Sequence, residues 1–160
     1  MFKTKRNIVL GLAVCALLLP TTLIAKKQVE RPFKLHGENI VIVDLSDLSQ
    51  FPIFPWWIES EVGEATHLGR YTSSGGGTID LSTGYLTGSG NDTASNGDQL
   101  SWEMEGSPDI PYILTYTGGT GRFEGASGSL TLTFTEATVI PEGNFMINTQ
   151  TFSGIGTLTY

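Results

Sequence analysis

Apolar and polar residues alternate along most of the chain beyond residue 61, and this period of two predicts β-strands. The alternation is clearest in Gln99–Glu105, Tyr112–Thr117 and Ser129–Thr135. Successive side chains of a strand point to opposite faces, so one face of each segment is predicted to be buried and the other solvated. The positions predicted to face inward are Leu100, Trp102, Met104, Tyr112, Leu114, Tyr116, Leu130, Leu132 and Phe134.

The strands predicted from this pattern number about eight. They are Pro32–Val43, Val62–Thr72, Gly77–Ser82, Tyr85–Ala94, Gln99–Gly106, Tyr112–Thr117, Gly125–Ala137 and Asn144–Tyr160, the last with a break at Ser153–Gly154. Turns are predicted at Ser74–Gly77 and at Asn96–Asp98, where Asn-Gly favours a tight hairpin. The fold class is all-β, an eight-stranded antiparallel barrel or a sandwich; a barrel leaves no exposed strand edges and is favoured.

Glycine is concentrated in Thr117–Leu130, which reads TGGTGRFEGASGSL and has five glycines in fourteen positions. Glycine tolerates positive φ and close backbone approach, so the segment is expected to form a tight corner between two strands.

The same segment resembles the Gly-rich strand motif of the allene oxide cyclase and dirigent superfamily. The matching positions are Gly118, Gly119, Thr120, Gly121, Phe123, Gly125, Ala126 and Gly128. Two further segments, Gly63–Thr72 and Thr93–Leu100, resemble bacterial proteins of the same barrel that have no assigned activity. With gaps, the resemblance covers about residues 31 to 160.

This resemblance implies an eight-stranded, calycin-like barrel with an apolar interior site. Allene oxide cyclases hold a fatty-acid epoxide there, and dirigent proteins steer reactive phenolic molecules with acidic and basic cavity side chains. Members are typically trimeric, so a homo-oligomer is expected by analogy. The matched glycines shape a strand and its turn, and no catalytic residue of either family can be placed on this sequence.

The first 25 residues have the pattern of a secretory signal peptide. Lys3, Lys5 and Arg6 precede a short apolar run, and Ala25 lies at a plausible cleavage point. The prediction is an exported protein, periplasmic or secreted, with residues 26–160 forming one barrel domain. Cys15, the only cysteine, is interpreted as part of the apolar run, with lipidation as the alternative.

Charge excludes one class of partner. The predicted mature chain has 6 Lys and Arg against 16 Asp and Glu, a formal net charge of about −10. Nucleic-acid binding requires clustered basic residues, so a nucleic-acid partner is not expected. No transmembrane segment is predicted in the mature chain, because the apolar run is short and lies in the signal.

Neither a metal nor a cofactor is predicted. The two histidines, His36 and His67, are far apart in sequence, and a zinc site needs three or four ligands. Glu103 and Glu105 are predicted to lie on the solvated face of their strand, where they do not form a catalytic carboxylate pair. No G-x-S-x-G elbow is present.

Four residues are the candidate cavity groups: His67, Tyr71, Trp102 and Tyr116. If His67 and Tyr71 face inward, they would offer a base and a phenol to a ligand. If they face outward, they are ordinary polar residues of the barrel wall, and this second interpretation is favoured.

The segment Phe51–Ile58, FPIFPWWI, is predicted to be an aromatic loop that plugs one barrel mouth, contacts another subunit or shapes a ligand entrance. The function favoured by the sequence is a non-catalytic barrel that binds a small apolar ligand or serves as a structural or interaction module. The alternative is a cyclase, isomerase or dirigent-like protein that acts on a lipid or phenolic ligand inside the barrel.

Overall fold

The structure, a computed structural model, describes residues 28–160. The predicted signal peptide lies outside these residues. Eight long strands make up nearly all of the described chain: β1 (Glu30–Asp44), β2 (Ile53–Ala65), β3 (Gly69–Asp80), β4 (Tyr85–Ala94), β5 (Gln99–Ser107), β6 (Ile110–Gly119), β7 (Ser127–Glu142) and β8 (Phe145–Thr159). Two single-turn 3-10 helices, Leu48–Gln50 and Gly121–Phe123, lie in the connections.

The strands form a closed up-and-down barrel. Each strand pairs antiparallel with the next, and β1 closes the sheet by pairing with β8 from Glu30↔Thr159 to Asp44↔Phe145. The predicted fold class is therefore confirmed. Because the connections alternate between the two ends, the β2–β3, β4–β5 and β6–β7 connections share one end, here called the closed end. The other four connections form the opposite end, called the mouth.

Large side chains fill the barrel at the closed end. Phe33, Phe123 and Leu158 have no exposed surface. Phe33 packs edge-on against Tyr116 with ring centroids 5.5 Å apart, and Phe123, from the 3-10 helix after β6, packs against Tyr160 at 5.3 Å. Such close packing of apolar surface supplies most of the stability of a barrel that has no helical layer over it.

The Gly-rich segment forms the predicted corner. It contains the end of β6, the 3-10 helix and the start of β7. Gly121 and Gly125 have φ values of 59° and 72°, a region that residues with a Cβ rarely occupy, which explains the choice of glycine at these two positions. The Asn96–Asp98 hairpin is also present, between β4 and β5, although its connection spans four residues and not two.

The prediction of an aromatic loop over Phe51–Ile58 is largely wrong. Most of this segment is the first half of β2, where Phe54 and Trp56 point inward and are 2 % and 3 % exposed. Trp57 points to the other face and packs edge-on against Phe145. Phe51 precedes the strand and has a largely exposed side chain, whereas Pro55 is accommodated within the strand.

The predicted turn at Ser74–Gly77 is also wrong, because these residues continue β3. The glycines here and on β4 leave space for two tryptophan rings inside the barrel. A Cβ at Gly90 would lie 2.4 Å from the Trp102 ring, and a Cβ at Gly88 would lie 2.3 Å from the Trp56 ring. Glycine in this stretch therefore reflects packing and not chain reversal.

Two other strand boundaries differ from the prediction. The predicted strand Val62–Thr72 is divided by a turn at residues 66–68, where His67 has a φ of 69°. By contrast, β8 continues through Ser153–Gly154 without a break, since both residues pair with β1 and β7.

Candidate functional site

A cavity of about 360 Å³ lies inside the barrel above the packed closed end. One lining residue, Pro108 in the β5–β6 connection, is solvent-exposed, so the cavity reaches the mouth. Its wall is mostly apolar and comes from all eight strands. The apolar wall residues on the strands are Leu35, Val41, Val43, Trp56, Ile58, Ile79, Leu86, Trp102, Met104, Leu114, Leu132, Phe134 and Phe152.

Polar side chains form a layer part-way down this wall. They are Asn39, Glu61, Tyr71, Ser73, Asp92, Asn148 and Gln150, with the phenol of Tyr112 nearer the mouth. None of the residues that line the cavity is Lys, Arg or His. The site therefore combines two carboxyl groups with aromatic and aliphatic surface and contains no cationic side chain.

A β-bulge turns Glu61 into the cavity. In β2, Phe54, Trp56 and Ile58 face inward at every second position, and continued alternation would place Ser60 inside. The pairing with β1 instead shifts by one residue: Ile40 lies opposite Ser60, whereas the next residue, Val41, lies opposite Ile58. One extra residue reverses the facing of all that follow, and Glu61 consequently lines the cavity.

The Glu61 carboxylate accepts a hydrogen bond from Asn39 Nδ2 at 3.0 Å and is also hydrogen-bonded by Tyr71. Burial raises the pKa of Glu61 to about 7, and the negative charge of Asp92 adds to this rise. The hydrogen bonds oppose the rise but do not cancel it, because they replace only part of the lost hydration.

Asp92 is the more deeply buried acid, with only 2 % of its surface exposed. Its Oδ2 accepts a hydrogen bond of 2.9 Å from the Tyr116 hydroxyl. Burial raises the pKa of Asp92 to about 6, against hydrogen bonds from Ser73 and Tyr116 that favour the ionised form. The same burial, together with the two carboxylates, raises the pKa of Tyr71, so this phenol stays protonated and donates.

Most donors around the cavity are already engaged. The Trp56 indole N–H donates to the carbonyls of Thr78 and Thr87, at 3.2 and 3.0 Å, and the Trp102 N–H donates to Ser73 Oγ at 3.2 Å. Asn148 Nδ2 donates to Gln150 at 3.2 Å. The indoles therefore present apolar ring surface, and not their N–H groups, to a ligand.

Two acceptors remain unused among the described residues. The amide oxygens Oδ1 of Asn39 and of Asn148 are buried and have no hydrogen-bond partner. Asn39 as a whole is only 8 % exposed and lines the cavity. A buried acceptor without a donor costs free energy, so this carbonyl favours a ligand that carries an N–H or O–H group.

The four residues predicted as cavity groups occupy three different places. Tyr71 and Trp102 line the cavity. Tyr116 is buried just below it and reaches the site only through its hydrogen bond to Asp92. His67 lies in the β2–β3 turn at the closed end, beside Tyr160 at a ring distance of 5.9 Å, and does not line the cavity. Ligand binding by any of them stays a prediction.

Sequence reasoning missed Glu61, Asp92 and Asn39. Asp92 and Asn39 could have been found, because each has the inward parity of its strand, with Ala94 and Leu86 on β4 and with Leu35 and Val41 on β1. A polar residue in such a series is a signal of a polar site inside a barrel. Glu61 gave no such signal, since the bulge that turns it inward is set by pairing with β1.

In residues 28–160 no group of three or more His, Cys, Asp or Glu side chains is arranged to hold a metal ion. No helix within that range has the length and apolar character needed to cross a membrane. Glu103 and Glu105 lie on the outer surface, as predicted, and the Glu105 carboxylate accepts a hydrogen bond from Tyr85.

Comparison with solved structures identifies the architecture. The barrel superimposes on the structure of a pterocarpan synthase dirigent protein with a TM-score of 0.53, covering 84 % of this chain and 86 % of that one at 18 % sequence identity. The barrel is dirigent-like. This likeness confirms the fold predicted from the Gly-rich segment, and at this identity it concerns the fold alone. Neither the known family models nor the curated protein sequences match the chain.

Proposed function

We propose that this dirigent-like protein binds a small, largely apolar molecule inside the barrel, without converting it. The observation that carries the proposal is the cavity of about 360 Å³, whose apolar wall is interrupted by one layer of polar groups. Ligand sites typically have volumes of about 300–1,000 Å³ and combine apolar walls with a few polar groups that orient the ligand. A barrel that served only as a structural module would have no need for a hollow interior.

Binding of a neutral apolar dye tests this proposal. N-phenyl-1-naphthylamine becomes fluorescent in apolar surroundings, and we expect saturable binding to the purified protein. Met104→Trp places a large ring in the cavity and should weaken dye binding at least tenfold. Glu103→Trp, one residue earlier on the solvated face of β5, is the matched control and should leave binding unchanged. Equal weakening by both variants, or no binding to the wild type, would overturn the proposal.

A second function has its own supporting observation. Glu61 and Asp92 line one cavity with pKa values of about 7 and 6, which suits proton transfer at neutral pH. This supports a cyclase, isomerase or dirigent-like activity on a lipid or phenolic ligand. Native mass spectrometry of protein from its own host would identify a retained molecule. Conversion of that molecule by the wild type, but not by Glu61→Gln at equal occupancy, would establish catalysis.

Export and oligomerisation complete the proposal. We infer from the first 25 residues that the protein is exported, and from the resemblance that it assembles as a homo-oligomer, a trimer by analogy. A mature N-terminus near Lys26 supports the first inference, and an intact Met1 in protein from the host contradicts it. The native mass decides the second, since a monomer at micromolar concentration is incompatible with it.

A further inference from the structure

The cavity contains acidic side chains and free hydrogen-bond acceptors but no basic side chain. Its ionisable groups are two carboxyls and the phenols of Tyr71 and Tyr112, and no basic side chain lines it. Its unused hydrogen-bonding capacity includes the Oδ1 atoms of Asn39 and Asn148, which are both acceptors. Among the described residues that line the cavity, the donors without an acceptor are the Gln150 Nε2 group and the Tyr112 hydroxyl. A carboxylate ligand would meet repulsion and few donors here.

Charged side chains on the strand ends and connections also favour a cation at the mouth. All four Lys and Arg side chains in residues 28–160, Arg31, Lys34, Arg70 and Arg122, belong to the half of the barrel next to the closed end. The connections and strand ends at the mouth carry Asp44, Asp47, Asp80, Asp109 and Glu142 and no basic residue. Such a distribution attracts cations to the mouth and repels anions, an effect that salt weakens.

Aromatic surface surrounds the polar layer. Rings of Trp56, Tyr71, Trp102 and Tyr112 contribute to the cavity wall, and both indole N–H groups are turned to protein acceptors. The faces of aromatic rings attract cations, more strongly where water is excluded. The wall can therefore stabilise a positive charge and also contact the apolar body of the ligand.

We infer that the ligand of this cavity is an organic cation, an aryl-alkyl amine whose ammonium group donates to the Glu61 carboxylate and to the unpartnered Asn39 carbonyl. The inference rests on the proposed ligand-binding function and assigns a chemical class to the ligand. Asn39 Oδ1 and Glu61 Oε2 belong to neighbouring side chains joined by a 3.0 Å hydrogen bond, so one ammonium group with three N–H donors can contact both. The positive charge also compensates two acids that have no cationic partner inside the barrel.

Three small molecules of similar size separate charge from apolar contact. They are 2-phenylethylamine, 2-phenylethanol and 3-phenylpropionate, each tested at pH 7.5 by competition with N-phenyl-1-naphthylamine. We expect the amine to displace the dye at concentrations at least tenfold lower than the alcohol, and the carboxylate to be the weakest. Glu61→Gln should remove this preference, because glutamine can accept the Asn39 hydrogen bond but has no charge. The matched control is Glu64→Gln, an exposed change on the same strand.

Each result decides a separate question. An alcohol or carboxylate that binds as tightly as the amine overturns the assignment of a cation and leaves the ligand-binding function intact. Failure of all three molecules to displace a dye that binds well has the same meaning: it overturns the assignment of a cation and leaves the ligand-binding function intact. A wild-type protein that does not bind the dye contradicts the proposed function itself. An amine preference that survives Glu61→Gln contradicts the placement of the ammonium group.

Discussion

The two ends of this barrel are formed by the same eight strands but differ in how densely side chains fill the interior. At the closed end, Phe33, Phe123 and Leu158 are completely buried and fill the interior of the barrel. Above it, inward side chains surround about 360 Å³ of empty space, and two acids, Glu61 and Asp92, lie in the wall of this cavity. Burial of apolar side chains at the closed end stabilises the folded protein. This stabilisation offsets the cost of an empty cavity and of two buried carboxyls that have no cationic partner.

The largest effect should come from emptying the closed end. Phe33→Ala removes a fully buried ring from its contact with Tyr116, and such changes cost about 3–5 kcal/mol in free energy of unfolding. Phe51→Ala, at the mouth, removes a ring that is 67 % exposed and should cost well under 1 kcal/mol. Denaturant unfolding of both variants measures the contrast, and similar losses would contradict the division into a packed and a hollow half.

A smaller effect is expected from the two acids. Their pKa values are raised to about 7 and 6, above the unfolded values near 4, so the folded protein binds more protons than the unfolded chain between about pH 4 and 7. The free energy of unfolding should therefore decrease as pH rises through this interval, by on the order of 1–3 kcal/mol. The lowered pKa values of Asp47 and Asp80 act in the opposite sense, at more acidic pH.

Melting temperature against pH gives the measurement. The double variant Glu61→Gln, Asp92→Asn should flatten the slope between pH 4.5 and 7 and gain stability at pH 7. Glu64→Gln, an exposed acid on β2, should keep the wild-type slope. A wild type whose stability increases across this range would show that the two carboxyls are not held in the environment described.

Glycine on β4 provides a test of the cavity wall. A methyl group at Gly88 would lie 2.3 Å from the Trp56 ring and 3.0 Å from the Gly76 carbonyl, so Gly88→Ala must displace the indole towards the cavity. Overpacking of this kind costs about 1–3 kcal/mol. The variant should also bind less dye, whereas Ser89→Ala, on the exposed face, should alter neither property. Unchanged unfolding and binding in Gly88→Ala would mean that the indole lies elsewhere.

The smallest effect belongs to the surface of the closed end. Arg122 Nε lies 3.5 Å from Asp98 Oδ2, and Arg122 is 42 % exposed. Exposed ion pairs contribute about 0.2–1 kcal/mol, and salt reduces the contribution. Asp98→Asn should therefore lower the free energy of unfolding by less than 1 kcal/mol at low salt, with a smaller loss at 1 M NaCl. A loss comparable to that of Phe33→Ala would show that charge, and not packing, stabilises this end.

Much of the fold could be predicted because it depends on local pattern. The inward positions of β5, β6 and the first half of β7 follow from strict alternation, and their burial matches: Leu100, Trp102, Tyr116 and Leu130 are all at most 2 % exposed. The Gly-rich corner follows from residues that only glycine suits. The errors arose where glycine can serve two different purposes. Gly75, for example, makes room for the Trp102 indole within β3 and does not form a turn.

The sequence by itself determined an all-β chain with a strongly acidic composition and the facing of most strands, because propensity, alternation and charge are properties of neighbouring residues. Only the tertiary structure decided that β1 pairs with β8, that a bulge in β2 opposite Ile40 and Val41 turns Glu61 inward, and that Glu61, Asp92 and Asn39 share one cavity. These residues are separated by 22 to 53 positions in the sequence. Closing the sheet brings them together, and the register of pairing, which no local pattern specifies, sets which of them face inward.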